Sequence, residues 1–276
     1  MELSDYKLGM GTWQMAENRT PDLEERRALS FGIENGLTLI DTAEMYGSGS
    51  SEALVGEVIR PVRRESLYLV SKVYPHNASR KKMKEACHAS LRRLGTDTLD
   101  LYLLHWRGNV PLEETVSAFE ELQREGCIRR WGVSNFDVAD MEELWSVPGG
   151  NACAANQVLY HIASRGVEFD LLPWLCGHRV PLMAYSPLAH STRYRSAIAS
   201  STALREIAAE HDVSIYQIML AFLARQENVV AIPKASKVKH VAENLNSLNI
   251  RLTPEELRRI DLDFAPPTEK TELDML

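Results

Sequence analysis

Eight short apolar runs, each followed by a stretch of helical period, recur along this chain. The runs are residues 8–12, 37–41, 66–71, 99–104, 127–133, 154–158, 181–185 and 229–232. Between them lie amphipathic stretches at 22–35, 51–60, 79–94, 111–125, 137–146, 170–177, 201–211 with 214–227, and 238–248. Local punctuation supports these limits: Asn35-Gly36, Gly95 and Gly126 stand where helices end, Pro61 follows one, and Asp137 stands where one begins. Thr253-Pro254-Glu255-Glu256 is a capped start for an extra C-terminal helix.

Strict alternation of strand and helix selects parallel strands with helical crossovers, and eight such units predict an α/β fold, a (β/α)8 TIM barrel. The length of 276 residues suits one barrel of about 250 residues plus the extra helix. No repeat, low-complexity tract or linker divides the chain, so residues 1–276 read as a single domain. The rival doubly wound sheet calls for G-x-G-x-x-G after the first strand, and none is present.

A formal net charge of −7 argues against a nucleic-acid partner held by a basic patch. No apolar run approaches the ~20 residues that span a bilayer, and the N-terminus lacks a basic region followed by an apolar core. Cys87, Cys127, Cys153 and Cys176 contain no C-x-x-C pair and read as free thiols in a reducing compartment. The expectation is a cytoplasmic protein without metal.

In a parallel barrel the working groups stand at the C-terminal ends of the strands. The second run ends in Asp41, the third in Ser71-Lys72, the fourth runs into His105, and Tyr46 follows Asp41 on a glycine-bearing loop. Alone, each has a plain structural explanation: a cap, a surface charge, a core histidine, a loop aromatic. Together, at successive strand ends, they form a coherent set. A free tyrosine with a pKa of about 10 is a poor acid near neutrality; a lysine beside it favours the phenolate, and a carboxylate holds the lysine charged. No side chain here is a redox centre, so a hydride has to come from a bound cofactor.

The ordered segments Gly9-x-Gly11-Thr12-Trp13, Asp41-Thr42-Ala43-x-x-Tyr46-Gly47, Ser71-Lys72, Leu103-Leu104-His105, Gly132-Val133-Ser134-Asn135-Phe136, Asn156-Gln157, Ala184-Tyr185-Ser186-Pro187-Leu188 and Ile232-Pro233-Lys234 resemble the aldo-keto reductases from about residue 8 to the C-terminus. The segments around His105, Asn156–His161 and Tyr185–Ala189 are most similar to bacterial methylglyoxal reductases of that family. The resemblance implies a catalytic tetrad of Asp41, Tyr46, Lys72 and His105. Tyr46 would protonate a carbonyl oxygen, Lys72 paired with Asp41 would lower the tyrosine pKa, and His105 would orient the carbonyl. The family often carries a β-hairpin before its first barrel strand; here about six residues precede that strand, which implies a shortened or absent hairpin.

The same resemblance implies NADPH as cofactor. Gly11, Thr12, Trp13 and Asp41 would lie beside it, Tyr185 would stack on the nicotinamide, and Ser134, Asn135 and Gln157 would bind its carboxamide. The segment 186–195, with Ser186, Pro187 and Leu188, would cover the pyrophosphate as a loop. Lys234, Ala235 and Ser236 would meet the adenosine phosphate, and Glu243 and Asn244 the adenine. His240 stands where the family has an arginine. An arginine fork is always charged and a histidine is not, so the discrimination against NADH is expected to be weaker and pH-sensitive.

Trp13, Tyr46, His105 and Trp106 are expected to wall a pocket for a small carbonyl, with the prolines after Phe264 holding an extended C-terminal wall. Arg107 either attracts a substrate carboxylate or pairs with a surface acid. The expected activity is reduction of small aldehydes and α-dicarbonyls, methylglyoxal first, with sugar-derived ketones such as diketogluconate as the second choice, in a monomer. Two rivals stand beside it: a cofactor-binding auxiliary or sensor protein with little turnover, and a metal-dependent barrel hydrolase. The second wants converging histidines and acids, and the eight histidines include no His-x-His pair.

Overall fold

The computed structural model describes residues 2–17, 23–190 and 192–276. Asp22, the first residue of the expected 22–35 helix, and Ser191, inside the expected pyrophosphate loop, lie outside the described residues. Eight parallel strands follow one another in spatial order: β1 (Met10–Gly11), β2 (Leu39–Asp41), β3 (Tyr68–Val73), β4 (Leu99–Leu104), β5 (Ile128–Ser134), β6 (Asn156–Leu159), β7 (Leu182–Tyr185) and β8 (Val229–Ala231). The last strand meets the first. Gly9 N–H donates to Ala231 O at 2.8 Å, Ala231 N–H to Lys7 O at 3.0 Å, and Gly11 N–H to Pro233 O at 3.0 Å. These bonds close the sheet, and the fold is the expected (β/α)8 barrel.

The helices are α1 (Leu23–Glu34), α2 (Ser50–Ile59), α3 (Arg80–Leu94), α4 (Leu112–Arg124), α5 (Val138–Ser146), α6 (Leu171–His178), α7 (Thr192–Ser200), α8 (Thr202–Glu210), α9 (Ile215–Ala224), α10 (Val238–Asn246) and α11 (Pro254–Asp263). The end signals act as expected. The Asp137 side chain accepts from Asp140 N–H, Gly95 closes α3 in the left-handed conformation, and Thr253 and Glu256 form a reciprocal cap on the added helix α11. Helix α7 departs from the expected loop over 186–195. Its sequence, Thr-Arg-Tyr-Arg-Ser-Ala-Ile-Ala-Ser, has too few apolar residues to mark a helical face, and Ile198 is its buried anchor.

Two apolar layers result. The larger packs the outer faces of the strands against the helices; Trp131 on β5, for example, stacks on Phe119 of α4 with ring centroids 5.2 Å apart. The smaller fills the barrel with Leu39, Tyr68, Val70, Leu101, Leu103, Ala155, Met183, Val230 and Ile232. Glycine is required where this interior is tightest. A Cβ on Gly9 would stand 2.3 Å from Leu39 Cδ2, and one on Gly132 2.5 Å from Ala155 O. No strand precedes β1 among the described residues. A 3-10 turn, Leu3–Asp5, takes the place of the hairpin: Leu3 joins the interior layer, and Tyr6 packs on Tyr68 at 5.5 Å. Among the described residues no helix is long and apolar enough to cross a membrane.

Candidate active site

Strand alternation explains why distant residues converge. Successive side chains on a strand face opposite sides, so a residue two places beyond an interior one also faces inward, one layer nearer the C-terminal mouth. Leu39 is followed in this way by Asp41, Val70 by Lys72, Leu103 by His105, Ala155 by Gln157 and Met183 by Tyr185. Each barrel-filling apolar residue thus hands its strand over to a polar one at the mouth. Tyr46 reaches the same place from the loop after β2, which Gly47 and Gly49 turn through positive φ.

Lys72 is wholly buried and makes three hydrogen bonds: to Asp41 Oδ2 at 2.8 Å, Thr42 O at 2.9 Å and Tyr46 Oη at 2.9 Å. An ammonium has three protons, so all are used, and the tyrosine oxygen is an acceptor in this contact. The phenolic proton is left to point elsewhere. The second oxygen of Asp41 accepts from Gln157 Nε2 at 2.8 Å, which fixes the carboxylate plane. The His105 ring packs edge-on to Tyr46 with centroids 5.8 Å apart.

Burial dominates the electrostatics. It pushes the Tyr46 pKa well above its ordinary value, with the Asp41 charge adding to the rise. Burial is the larger influence on the resting phenol, which stays protonated. Burial also lowers the Lys72 pKa, and Asp41 works against that fall. The His105 pKa is pushed down to about 3, by burial first and by Lys72 second, so this imidazole is neutral. Its Nδ1 is buried without a hydrogen-bond partner. An unpaired buried acceptor is tolerated better than an unpaired buried donor, which assigns the single ring proton to Nε2.

These groups stand on the wall of a cavity of about 890 Å³. Of the residues singled out in the sequence, Gly11, Trp13, Asp41, Tyr46, His105 and Trp106 line it. So do Ser134, Asn135, Gln157 and Tyr185 at the strand ends, Ser186, Pro187 and Leu188 after β7, and Lys234 and His240 beyond β8. The polar side chains among them are already tied together. Tyr185 Oη donates to Asn135 Oδ1 at 2.9 Å, Asn135 Nδ2 to His105 O at 3.1 Å, and Ser134 Oγ to Gln157 O at 2.7 Å.

Seven of the singled-out residues do not line the wall. Lys72 lies behind Tyr46. Thr12 is fully buried, and its N–H and hydroxyl both bind Asp41 O at 3.0 Å, so it joins β1 to β2 instead of facing the cavity. Ala235, Ser236, Glu243 and Asn244 lie beyond the rim, where Glu243 pairs with His240 at 3.1 Å and with Lys239 at 3.7 Å. Arg107 is committed to Glu143 at 2.6 Å.

Other wall residues were not named singly from the sequence. His190 packs edge-on to Trp13 at 4.8 Å, Arg195, Ile198 and Ala199 come from the unexpected α7, and Met275 and Leu276 come from the extended tail. Asp274 ties that tail to Ser164 at 2.6 Å and to Tyr194 of α7 at 2.5 Å. The prolines after Phe264 mark the tail as an extended wall, and His190 and Arg195 lie within the singled-out segment 186–195; Ile198 and Ala199 lie outside every segment the sequence singled out.

A barrel with a lysine-bridged tyrosine and aspartate beside a neutral histidine at its C-terminal mouth defines an oxidoreductase working on a carbonyl group. Residues 7–262 match the model of the aldo/keto reductase family, and the chain belongs to that family. It is 52% identical over 269 residues to the methylglyoxal reductase YeaE of Escherichia coli, covering 98% of this chain and 94% of that one. It is 34% identical over 255 residues to a glyoxal reductase of Bacillus subtilis, covering 92% and 87%. Among solved structures, an aldo/keto reductase from Klebsiella pneumoniae in complex with NADP and acetate superposes with a TM-score of 0.95 at 50% identity, covering 98% of this chain and 95% of that chain.

Proposed function

We propose that this protein reduces small aldehydes and α-dicarbonyls, methylglyoxal first among them, with NADPH. The observation that carries the reading is the contact between Lys72 Nζ and Tyr46 Oη: it makes the tyrosine oxygen an acceptor and frees its proton for a carbonyl oxygen in the cavity. Near-full-length identity with a methylglyoxal reductase supports the substrate class. So do the aromatic walls Trp13, Tyr46 and Trp106, and the engagement of Arg107 with Glu143, which takes up the arginine that could have met a sugar-acid carboxylate.

The cavity fits the cofactor in its charge layout. Among its described lining side chains the acid is Asp41, held by Lys72, while Arg195, Lys234 and His240 supply cationic or protonatable groups for phosphates. Gln157 Nε2 is committed to Asp41, so its Oε1 is the atom offered to a carboxamide N–H. Tyr185 gives a flat face for the ring, and Gly11, Ser134 and Asn135 flank it; Ser186, Pro187 and Leu188 would cover the pyrophosphate, and Lys234, Ala235, Ser236 and His240 the adenosine phosphate, with Glu243 and Asn244 at the adenine. When bound, the nicotinamide supplies a hydride to the carbonyl carbon. The chain's own residues handle the proton. His105 Nε2–H holds the carbonyl oxygen, Tyr46 protonates it, and the Lys72 ammonium stabilises the phenolate as it forms.

The test follows NADPH and NADH oxidation with methylglyoxal. Turnover is expected with both, faster with NADPH. His240→Arg restores a charged fork and is expected to lower the NADPH KM by roughly fivefold to tenfold, the contribution of one charged hydrogen bond, with the NADH KM unchanged. Tight NADPH binding without turnover of any small aldehyde would favour the sensor reading instead. We read the protein as a monomer, and as cytoplasmic because four unpaired thiols suit a reducing compartment. Sedimentation at the 31.1 kDa of a single chain is the check.

A further inference from the structure

His88, Glu125 and Cys127 gather on the outside of the barrel, away from the catalytic mouth. His88 lies on α3, Glu125 follows α4, and Cys127 follows it across Gly126, whose positive φ of 78° turns the chain between helix and strand. One ligand atom from each lies within 4.8 Å of the other two. Sequence spacing hides the set, because His88 and Cys127 are 39 residues apart and belong to no short motif.

The geometry points to a binding site for one thiophilic divalent cation, Zn²⁺ being the natural occupant, which clamps α3 to the α4–β5 junction. Zn–S and Zn–N bonds of about 2.3 and 2.0–2.1 Å at a tetrahedral angle place sulfur and nitrogen about 3.6 Å apart. Cys127 Sγ and His88 Nε2 stand 3.5 Å apart. That separation matches two ligands of one ion. A thiolate, an imidazole and a carboxylate select zinc over magnesium or calcium, which take all-oxygen shells. Three protein ligands leave the fourth tetrahedral position to a water.

The local charges define what an ion has to displace. Glu125 is paired with the Lys84 ammonium, which the ion has to displace. A divalent ion would bind Cys127 as the thiolate, its proton passing to solvent, and would replace Lys84 as the partner of Glu125. The site requires no change in the catalytic cavity, since none of its three ligands lines that wall. It therefore stands or falls separately from the reductase reading.

The experiment is calorimetric titration of the full chain with Zn²⁺, with Co²⁺ absorbance as a second probe. Wild type is expected to bind one equivalent, to show a cobalt–thiolate charge-transfer band, and to gain roughly 5–10 °C in Tm at a hundredfold excess over Kd. His88→Ala and Cys127→Ser are each expected to weaken binding by at least about tenfold, Cys127→Ser also abolishing the band. Both variants are expected to keep wild-type turnover, which shows that they fold. Cys176→Ser, which alters the exposed thiol elsewhere on the surface, is expected to keep the site. Absence of saturable one-to-one binding overturns the proposal. So does binding that survives both His88→Ala and Cys127→Ser, or binding lost in Cys176→Ser.

Discussion

Tyr46→Phe is expected to lower kcat for methylglyoxal by about 10²–10⁴-fold, the usual contribution of a positioned general acid, while the Kd for NADPH stays within twofold. The substitution keeps the ring that meets His105 edge-on and the face that Lys72 Nζ approaches at 4.6 Å. It removes a single oxygen, and with it the only proton in the cluster placed to leave, since Lys72 spends its three protons on Asp41, Thr42 and Tyr46. The wild-type pH profile gives an independent check. Reduction needs Tyr46 protonated, and the upward shift of its pKa moves the alkaline loss of activity above pH 10. It needs His105 neutral, and with a pKa of about 3 that condition holds throughout the neutral range. With NADPH saturating, kcat should therefore be flat across the histidine range, about pH 5–8. A limb near pH 6.5 would mean that a charged His105 takes part, and a Tyr46→Phe enzyme with more than a tenth of wild-type kcat would remove the proton-donor assignment.

What the sequence disclosed and what it withheld divide along a physical line. The barrel was legible because periodicity and end signals are local: Asp137, Gly95 and Thr253 each act within one turn of the chain. The tetrad was legible because alternation is local too, so that Leu39 facing in requires Asp41 to face in, and Val70 requires Lys72. Residues placed by packing across the fold were not. Helix α7 has one buried apolar anchor, Ile198, and docks through contacts such as Tyr194 to Asp274, 80 residues away. Thr12 sits in the right stretch but points into the joint between β1 and β2, and only the register of Gly11 opposite Asp41 reveals this. The resting state of Tyr46 lay beyond the sequence for a related reason. A charged neighbour can be inferred from a motif, whereas the degree of burial that outweighs it belongs to the assembled structure.

Lys72→Met is expected to be the most destabilising single change in the site. Its ammonium and the Asp41 carboxylate are buried together, 0% and 2% exposed, at 2.8 Å. Removing one partner leaves a buried charge uncompensated, at a cost of about 3–5 kcal/mol, or a fall in Tm of roughly 10 °C. The pair itself is a weak contributor to stability, because desolvating two ions consumes most of their attraction. Lys72→Met combined with Asp41→Asn removes both charges and keeps an acceptor for Gln157 Nε2, so the double variant is expected to regain more than half of the lost stability. It should regain no activity. Without a cation 2.9 Å from Tyr46 Oη, the phenolate formed on proton donation stands unpaired in a buried site, and kcat should remain about 10²–10³-fold below wild type in both variants. Thermal melts and turnover measured on the same preparations separate the two roles. If the double variant recovers both stability and activity, the lysine serves the fold and not the chemistry. If it recovers stability alone, the buried pair is retained for what it does to Tyr46.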